Sequence, residues 1–334
     1  MIEDTFPVVK MTLAQLSKHV QNFLAANAHK SKETRGTYER ALKEFVHFFA
    51  LDRKFFFRVR DVERYRVHLA ERKKMQNASI ATYMTALRRL CQFLVDSGVL
   101  EKNAAKRVQG GQRPVAHNRT FLSLEEIDQL LNSIDLQTPV GLRDYAIIRT
   151  MLGCACSEVE LMHADVGDLR QHGKKWFLYV QGKGKSIKDE MIPVPVATVK
   201  ALHAYLATRT VSGYYAAQST PESSLPADAP LFTSYSNRSM HQRITIRGLR
   251  EAIVLRLKGS GVKGERNGKL TPFSLRHTAG ILLVEQGATP EELMHRMRIE
   301  WRPTAMLYFK QKGKLHSVQH KGASTLLALE EGAS

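Results

Sequence analysis

Two short strings toward the C-terminal end carry side chains suited to chemistry on an anion. One is Leu275-Arg276-His277-Thr278-Ala279-Gly280, the other Thr304-Ala305-Met306-Leu307-Tyr308-Phe309. A guanidinium presents a planar fork of N–H donors that matches phosphate or carboxylate, and a phenol is one of the few side chains able to act as a nucleophile. Upstream, Gln181-Gly182-Lys183-Gly184-Lys185 sets two ammonium groups in a glycine-rich turn. A tyrosine in an apolar helix is also ordinary core, so residue type alone decides nothing.

The charge of the chain narrows the choice of anion. Fifty Lys and Arg against 32 Asp and Glu leave a formal charge of +18 and a pI near 9.9. Such a surplus implies a polyanionic partner, because each phosphate neutralised releases condensed counterions. Residues 1 to 116 hold 22 Lys and Arg against 11 Asp and Glu, so most of the surplus lies in the first third. No apolar run is long enough for a transmembrane helix, and the N-terminus lacks a basic region followed by an apolar core. Cys91, Cys154 and Cys156 form an odd, sparse set that predicts a reducing compartment and small buried side chains. No metal or cofactor is expected.

The elements that must carry these residues read as two domains. Apolar spacing predicts helices over 12–26, 32–51, 60–72 and 79–96, packed as a small bundle, with Thr12 as a cap and Gly98 as a stop. Their other faces carry Lys30, Lys32, Arg35 and Arg40, then Arg64, Arg66, Arg72, Lys73 and Lys74, then Arg88 and Arg89. Cations so placed suit a DNA backbone. Residues 106–120, with Arg107, Gly110, Gly111, Arg113 and Pro114, have neither period and predict an extended linker. A second domain opens at Ser123, whose spacing to Glu126 is that of a capping box. Trp176–Gln181 and Glu190–Val194 read as two strands around the basic turn, and the remainder as helix apart from a polar loop over 218–228. The expected fold is mainly α with a small antiparallel β-sheet.

These strings resemble the tyrosine recombinase (phage integrase) family, over nearly the whole chain. Residues 1–105, ending Gly98-Val99-Leu100-Glu101-Lys102-Asn103-Ala104-Ala105, look like its helical core-binding (SAM-like) domain, and 121–313 like its catalytic domain. The resemblance implies that the linker lets two domains close around a duplex. It also implies that Arg276 grips the scissile phosphate and Tyr308 attacks it to give a 3′-phosphotyrosyl link. Lys183, with Lys185 as its neighbouring alternative, matches the hairpin lysine that protonates the departing 5′ oxygen. His277 is kept beside Arg276 as a secondary feature. The tail, 314–334, resembles the helix that docks on a neighbouring subunit, which equally could fold back on its own core.

Three positions depart from the family pattern, making this a degenerate member. Counting from Arg143-Asp144, the place of the first arginine falls on Ser157; matching Gly-x-Arg-x-Ser-Glu to 153–158 puts it on Ala155 instead. The Ser157 register is preferred because it also carries Glu160-Leu161 and 164–169 onto the pattern without a gap. Phe273 replaces the histidine expected three residues before Arg276, and Ile299 the histidine or tryptophan nine before Tyr308, although His295 and Trp301 are near. Arg149, Arg298 and Arg302 are the candidates to restore the missing charge.

Phosphoryl transfer needs positive charge on the nonbridging oxygens, a proton donor for the leaving oxygen and an aligned nucleophile. With three such groups replaced, the expectation is a site-specific DNA-binding protein with weakened or lost catalysis, an accessory or regulatory subunit in DNA recombination or integration. The alternative is an active recombinase that cleaves and rejoins DNA through Tyr308. Expected partners are double-stranded DNA and further subunits, of this chain or of another recombinase. No membrane is expected, and the expected place is the cytoplasm, at the nucleoid.

Overall fold

A computed structural model describes residues 8–52, 54–111, 120–182, 185, 187–212, 225–263 and 270–313. The chain divides into two compact units, Met1–Val115 and Ala116–Ser334. The first contains α1 (Leu13–Ala26), α2 (Lys32–Leu51), α3 (Val59–Val67) and α4 (Asn77–Asp96). Thr12 and Gln15 close the capping box of α1, the Thr12 hydroxyl accepting from Gln15 N at 3.2 Å and the Gln15 carbonyl from Thr12 N at 2.8 Å. α3 runs on into a π-helical turn, His68–Arg72, closed by Lys73 N donating to His68 O at 3.0 Å.

Apolar stripes become the core of this unit, which centres on edge-to-face aromatics. Phe45 meets Tyr65 at 5.2 Å and 72°, and Phe55 meets Phe57 at 5.1 Å and 89°. Under them lies Asp61, fully buried, which accepts from the backbone N–H of Phe56 (2.9 Å) and Arg58 (3.1 Å) and from the guanidinia of Arg58 (3.2 Å) and Arg64 (2.9 Å). Burial pushes its carboxyl up, but those backbone and arginine donors outweigh it and hold the group below its usual range.

The stretch expected to open an extended linker begins instead as part of this unit. Val108 joins the core next to Ala104 and Ala105, the expected end of the domain, and Arg88 clamps the segment by donating to Ala105 O (3.0 Å) and Val108 O (2.8 Å). Gly111 packs so tightly on α4 that a Cβ there would fall 2.1 Å from Asn77 O. Residues 112–119, Arg113 included, lie outside the described set.

The second unit contains α5 (Leu124–Asn132), α6 (Pro139–Cys154), α7 (Glu158–His163), strands β1 (Leu169–His172), β2 (Lys175–Val180) and β3 (Glu190–Val194), then α8 (Val196–Ser212), α9 (Ile246–Gly259), α10 (Pro272–Glu285), α11 (Pro290–Met297) and α12 (Arg302–Phe309). Ser123 and Glu126 form the expected capping box on α5. The sheet is antiparallel in order β1-β2-β3, with Leu169 opposite Leu178 and Trp176 opposite Val194. β1 was not foreseen: Arg170, Gln171 and His172 are exposed, so this edge strand has no apolar alternation to betray it. α6 and α10 form the centre, and α10 buries nearly every residue from Pro272 to Val284. A helix wrapped on all sides suits residues that must be held still. Residues 218–224 of the expected loop and the tail from 314 fall outside the described residues.

Candidate functional site

Glu160 is the hub of the site, and its place is set by α7. Ser157 caps that helix, its hydroxyl accepting from Glu160 N at 3.3 Å, while Glu160 Oε2 accepts from Ser157 N at 2.6 Å. That box turns the Glu160 carboxylate back toward the helix start, where two arginines reach it. Arg276 Nη1 donates to Oε2 at 2.9 Å; Arg298 Nε donates to Oε1 at 2.8 Å and its Nη2 to Oε2 at 2.6 Å. Both guanidinia therefore sit side by side on one buried carboxylate. Burial pushes the Glu160 carboxyl up, but hydrogen bonding and charge from Arg298, then Arg276, hold it below the usual carboxylate range. The trio is left with one net positive charge.

Arg276 is supplied by the buried helix α10 and also donates through Nη2 to Met297 O. Burial, reinforced by the charge of Arg298, lowers its pKa, and Glu160 works against that shift. A guanidinium stays protonated throughout. Arg298 follows α11 in the left-handed region, at φ 49°. Its remaining donors go to the free carbonyls at the end of α6, Ala155 at 2.9 Å and Cys154 at 3.4 Å, and to Arg296 O. All five of its N–H groups thus point at protein acceptors, and the cation compensates the negative end of α6. Arg149 and Arg302 are elsewhere: Arg149 donates to Tyr145 Oη at 3.0 Å, and Arg302 pairs with Glu291.

Tyr308, on α12, is 3% exposed. Its ring lies 4.9 Å from that of His277 and fits against Gly280, where a Cβ would stand 2.4 Å from Tyr308 Cε1. It lies within electrostatic range of Arg276. The packing of α12 on α10 therefore brings Tyr308 to the adjacent pair Arg276 and His277. Ser157 is engaged as a cap, and Ala155, the other position considered for the first arginine, ends α6 at φ 49° with its carbonyl on Arg298. Phe273 is half-buried, and Ile299 packs on the core.

Beside Arg298 opens a cleft of about 460 Å³, lined by Lys185, His295, Arg298, Ile299, Trp301 and Thr304 among others. Lys185 is held by Glu190 at 2.7 Å and Asp189 at 2.9 Å, and those bonds raise its pKa. Lys183 lies outside the described residues. Cys154 and Cys156 are buried free thiols, and the described residues contain no group of His, Cys, Asp and Glu suited to a metal ion. No helix among the described residues is long and apolar enough to cross a membrane.

Of the N-terminal cations, Lys32, Arg35, Lys74, Arg89 and Arg107 are exposed. Others are committed within the unit: Arg64 to Asp52 and Asp61, Arg66 to Glu63, and Lys73 to Glu44. Arg88 is bound to the carbonyls already described. Sequence reading treated Glu160 only as a register mark; the Ser157-x-x-Glu160 spacing was the signal that could have shown its carboxylate folded back.

Comparison with known proteins places the fold. The phage integrase family signature matches residues 120–312, and the phage integrase N-terminal SAM-like domain matches 20–98. Tyrosine recombinase XerC of Serratia marcescens is 28% identical over 270 residues, covering 79% of this chain and 80% of that protein. XerC of Proteus mirabilis is 26% identical over 259 residues, covering 76% of each. Among solved structures, XerH site-specific recombinase bound to a palindromic difH substrate superposes with a TM-score of 0.67 at 16% identity, covering 91% of this chain and 83% of that one. A lambda integrase dimer bound to a COC′ core site gives 0.59 at 13%, covering 86% and 96%. With the family signature spanning more than half of its length and the N-terminal domain recognised as well, the chain belongs to the phage integrase family of tyrosine recombinases.

Proposed function

We propose that this protein binds specific double-stranded DNA and that its own strand cleavage is weakened or lost, so that it serves recombination or integration as an accessory or regulatory subunit. The observation that carries this reading is the commitment of Arg298: the cation nearest Arg276 gives all five N–H groups to protein acceptors. Removing one oriented donor from a charged transition state costs about 10² to 10³ in rate. Apolar side chains at Phe273 and Ile299 add nothing in its place, and Lys185, tied to Glu190 and Asp189, has a raised pKa and so gives up its proton less readily. Tyr308 is turned inward. DNA binding makes no such demands, and exposed Lys32, Arg35, Lys74 and Arg89 suit backbone phosphates. XerC relatives are tyrosine recombinases, and XerH and lambda integrase were solved on DNA, which supports a duplex as partner and an assembly of several subunits.

A second reading rests on the same trio. Arg298 stands beside Arg276 next to Ser157, so an active recombinase could draw its second positive charge from there and cleave through Tyr308. The two part on one experiment. Genomic fragments retained by the purified protein are footprinted, and nicked suicide duplexes of the recovered site are then incubated with wild type and Tyr308→Phe. The accessory reading expects retention of duplex without a detergent-resistant adduct in either protein. An adduct formed by wild type and absent from Tyr308→Phe replaces it with the active reading, and failure to retain any duplex removes both.

A further inference from the structure

Ser157 occupies the preferred place of the family's first arginine and does no more than cap α7. The guanidinium found in that neighbourhood comes from 138 residues beyond Glu160, on Arg298. We infer that Arg298 is a positioning residue that does not itself meet the phosphate: it saturates Glu160, which would otherwise neutralise Arg276, and so leaves Arg276 as a cation able to take one phosphate group. This rests on the reading that Arg276 faces a DNA phosphate.

Charge gives the first reason. Arg276 and Glu160 alone would be a neutral pair, with the carboxylate oxygen 2.9 Å from the guanidinium and repelling any incoming phosphate. Arg298 engages both Glu160 oxygens in a fork, the geometry that arginine makes best with carboxylates, and restores one net positive charge. Donor count gives the second. Arg298 has no N–H left over, whereas Arg276 commits two of its five and keeps three without an acceptor among the described residues. Capacity to bind an anion therefore lies on Arg276, and the charge that permits it on Arg298. Backbone gives the third: Arg298 sits at φ 49°, where side chains are disfavoured and glycine is at ease. A long charged side chain is tolerated there because its bonds compensate. Arg298 itself forms part of the wall of the Lys185–Trp301 cleft.

The probe is inorganic phosphate, titrated calorimetrically into the full chain, with Arg276→Gln marking the heat that belongs to Arg276. Arg298→Gly suits the local backbone and is expected to weaken phosphate binding by roughly tenfold or more while the protein still melts cooperatively. Adding Ser157→Arg to that variant is expected to restore most of the affinity. Unchanged affinity in Arg298→Gly overturns the inference, as does a folded double variant that stays weak, or a wild type that binds no phosphate at Arg276. Should Arg298→Gly fail to fold, Arg298→Lys decides: charge retained should keep phosphate binding, and loss as complete as in Arg276→Gln overturns it. Duplex binding is followed in parallel by anisotropy. Its absence in wild type, with the phosphate response intact, defeats the DNA-binding reading alone.

Discussion

In each unit a buried carboxylate holds two arginines, Asp61 in the first and Glu160 in the second, yet the two knots are tied differently. Asp61 draws Arg58 and Arg64 from three residues away on either side, and backbone N–H groups of the same loop complete its shell. Glu160 draws its partners from 116 and 138 residues away, on α10 and after α11. Arg64 keeps 42% of its side chain in solvent, while Arg298 keeps 7%. The first knot closes a local turn and can relax into water. The second ties three separate elements together through side chains that are mostly buried.

Glu160→Gln is the strongest way to break that contrast. It leaves two buried guanidinia without their counterion, and a loss of about 3–5 kcal/mol in urea unfolding is expected; a loss no larger than that of the local knot would erase the distinction. Asp61→Asn comes next, at roughly 1–3 kcal/mol, because its arginines turn outward while two backbone N–H groups lose a charged acceptor.

Acid sharpens the same comparison. Both carboxyls have folded pKa values below their unfolded ones, so each binds fewer protons when folded. Their stabilisation is fully present above the ordinary carboxylate range and is lost as pH falls through the depressed folded values. Melting temperature recorded from about pH 6 down to pH 2 should therefore fall less steeply in Asp61→Asn and Glu160→Gln than in wild type. Equal slopes in all three proteins would show that neither carboxylate is linked to folding.

Neighbouring arginines on α4 offer the finest cut. Arg88→Ala removes the clamp on Ala105 and Val108 and should cost about 1–2 kcal/mol. Arg89→Ala, on the exposed side, should leave stability within about 0.5 kcal/mol and reduce the salt slope of duplex binding by about one. Reversal of those two outcomes would exchange the structural and the DNA-facing roles.

What the sequence discloses follows the same division between local and distant. Helix starts at Thr12 and Ser123, the stripes of the first bundle and the β2–β3 hairpin were all readable because their signals lie within a few residues. The family resemblance named Arg276 and Tyr308, and the fold sets Arg276 on the buried helix α10 and Tyr308 on the buried side of the adjoining α12. Glu160 as hub and the orientation of Arg298 were not readable, since nothing local says which of many arginines will cross a domain to meet one carboxylate. Nor could spacing show that Arg88 faces inward and Arg89 outward at the domain edge; that depends on where residues 104–111 return to pack.

Gly280 gives the tyrosine helix its setting. The Tyr308 ring and the Met297 sulfur fill the notch left by that absent methyl. α12 is thereby keyed to α10. A methyl at position 280 would push the ring, and the helix that carries it, away from α10.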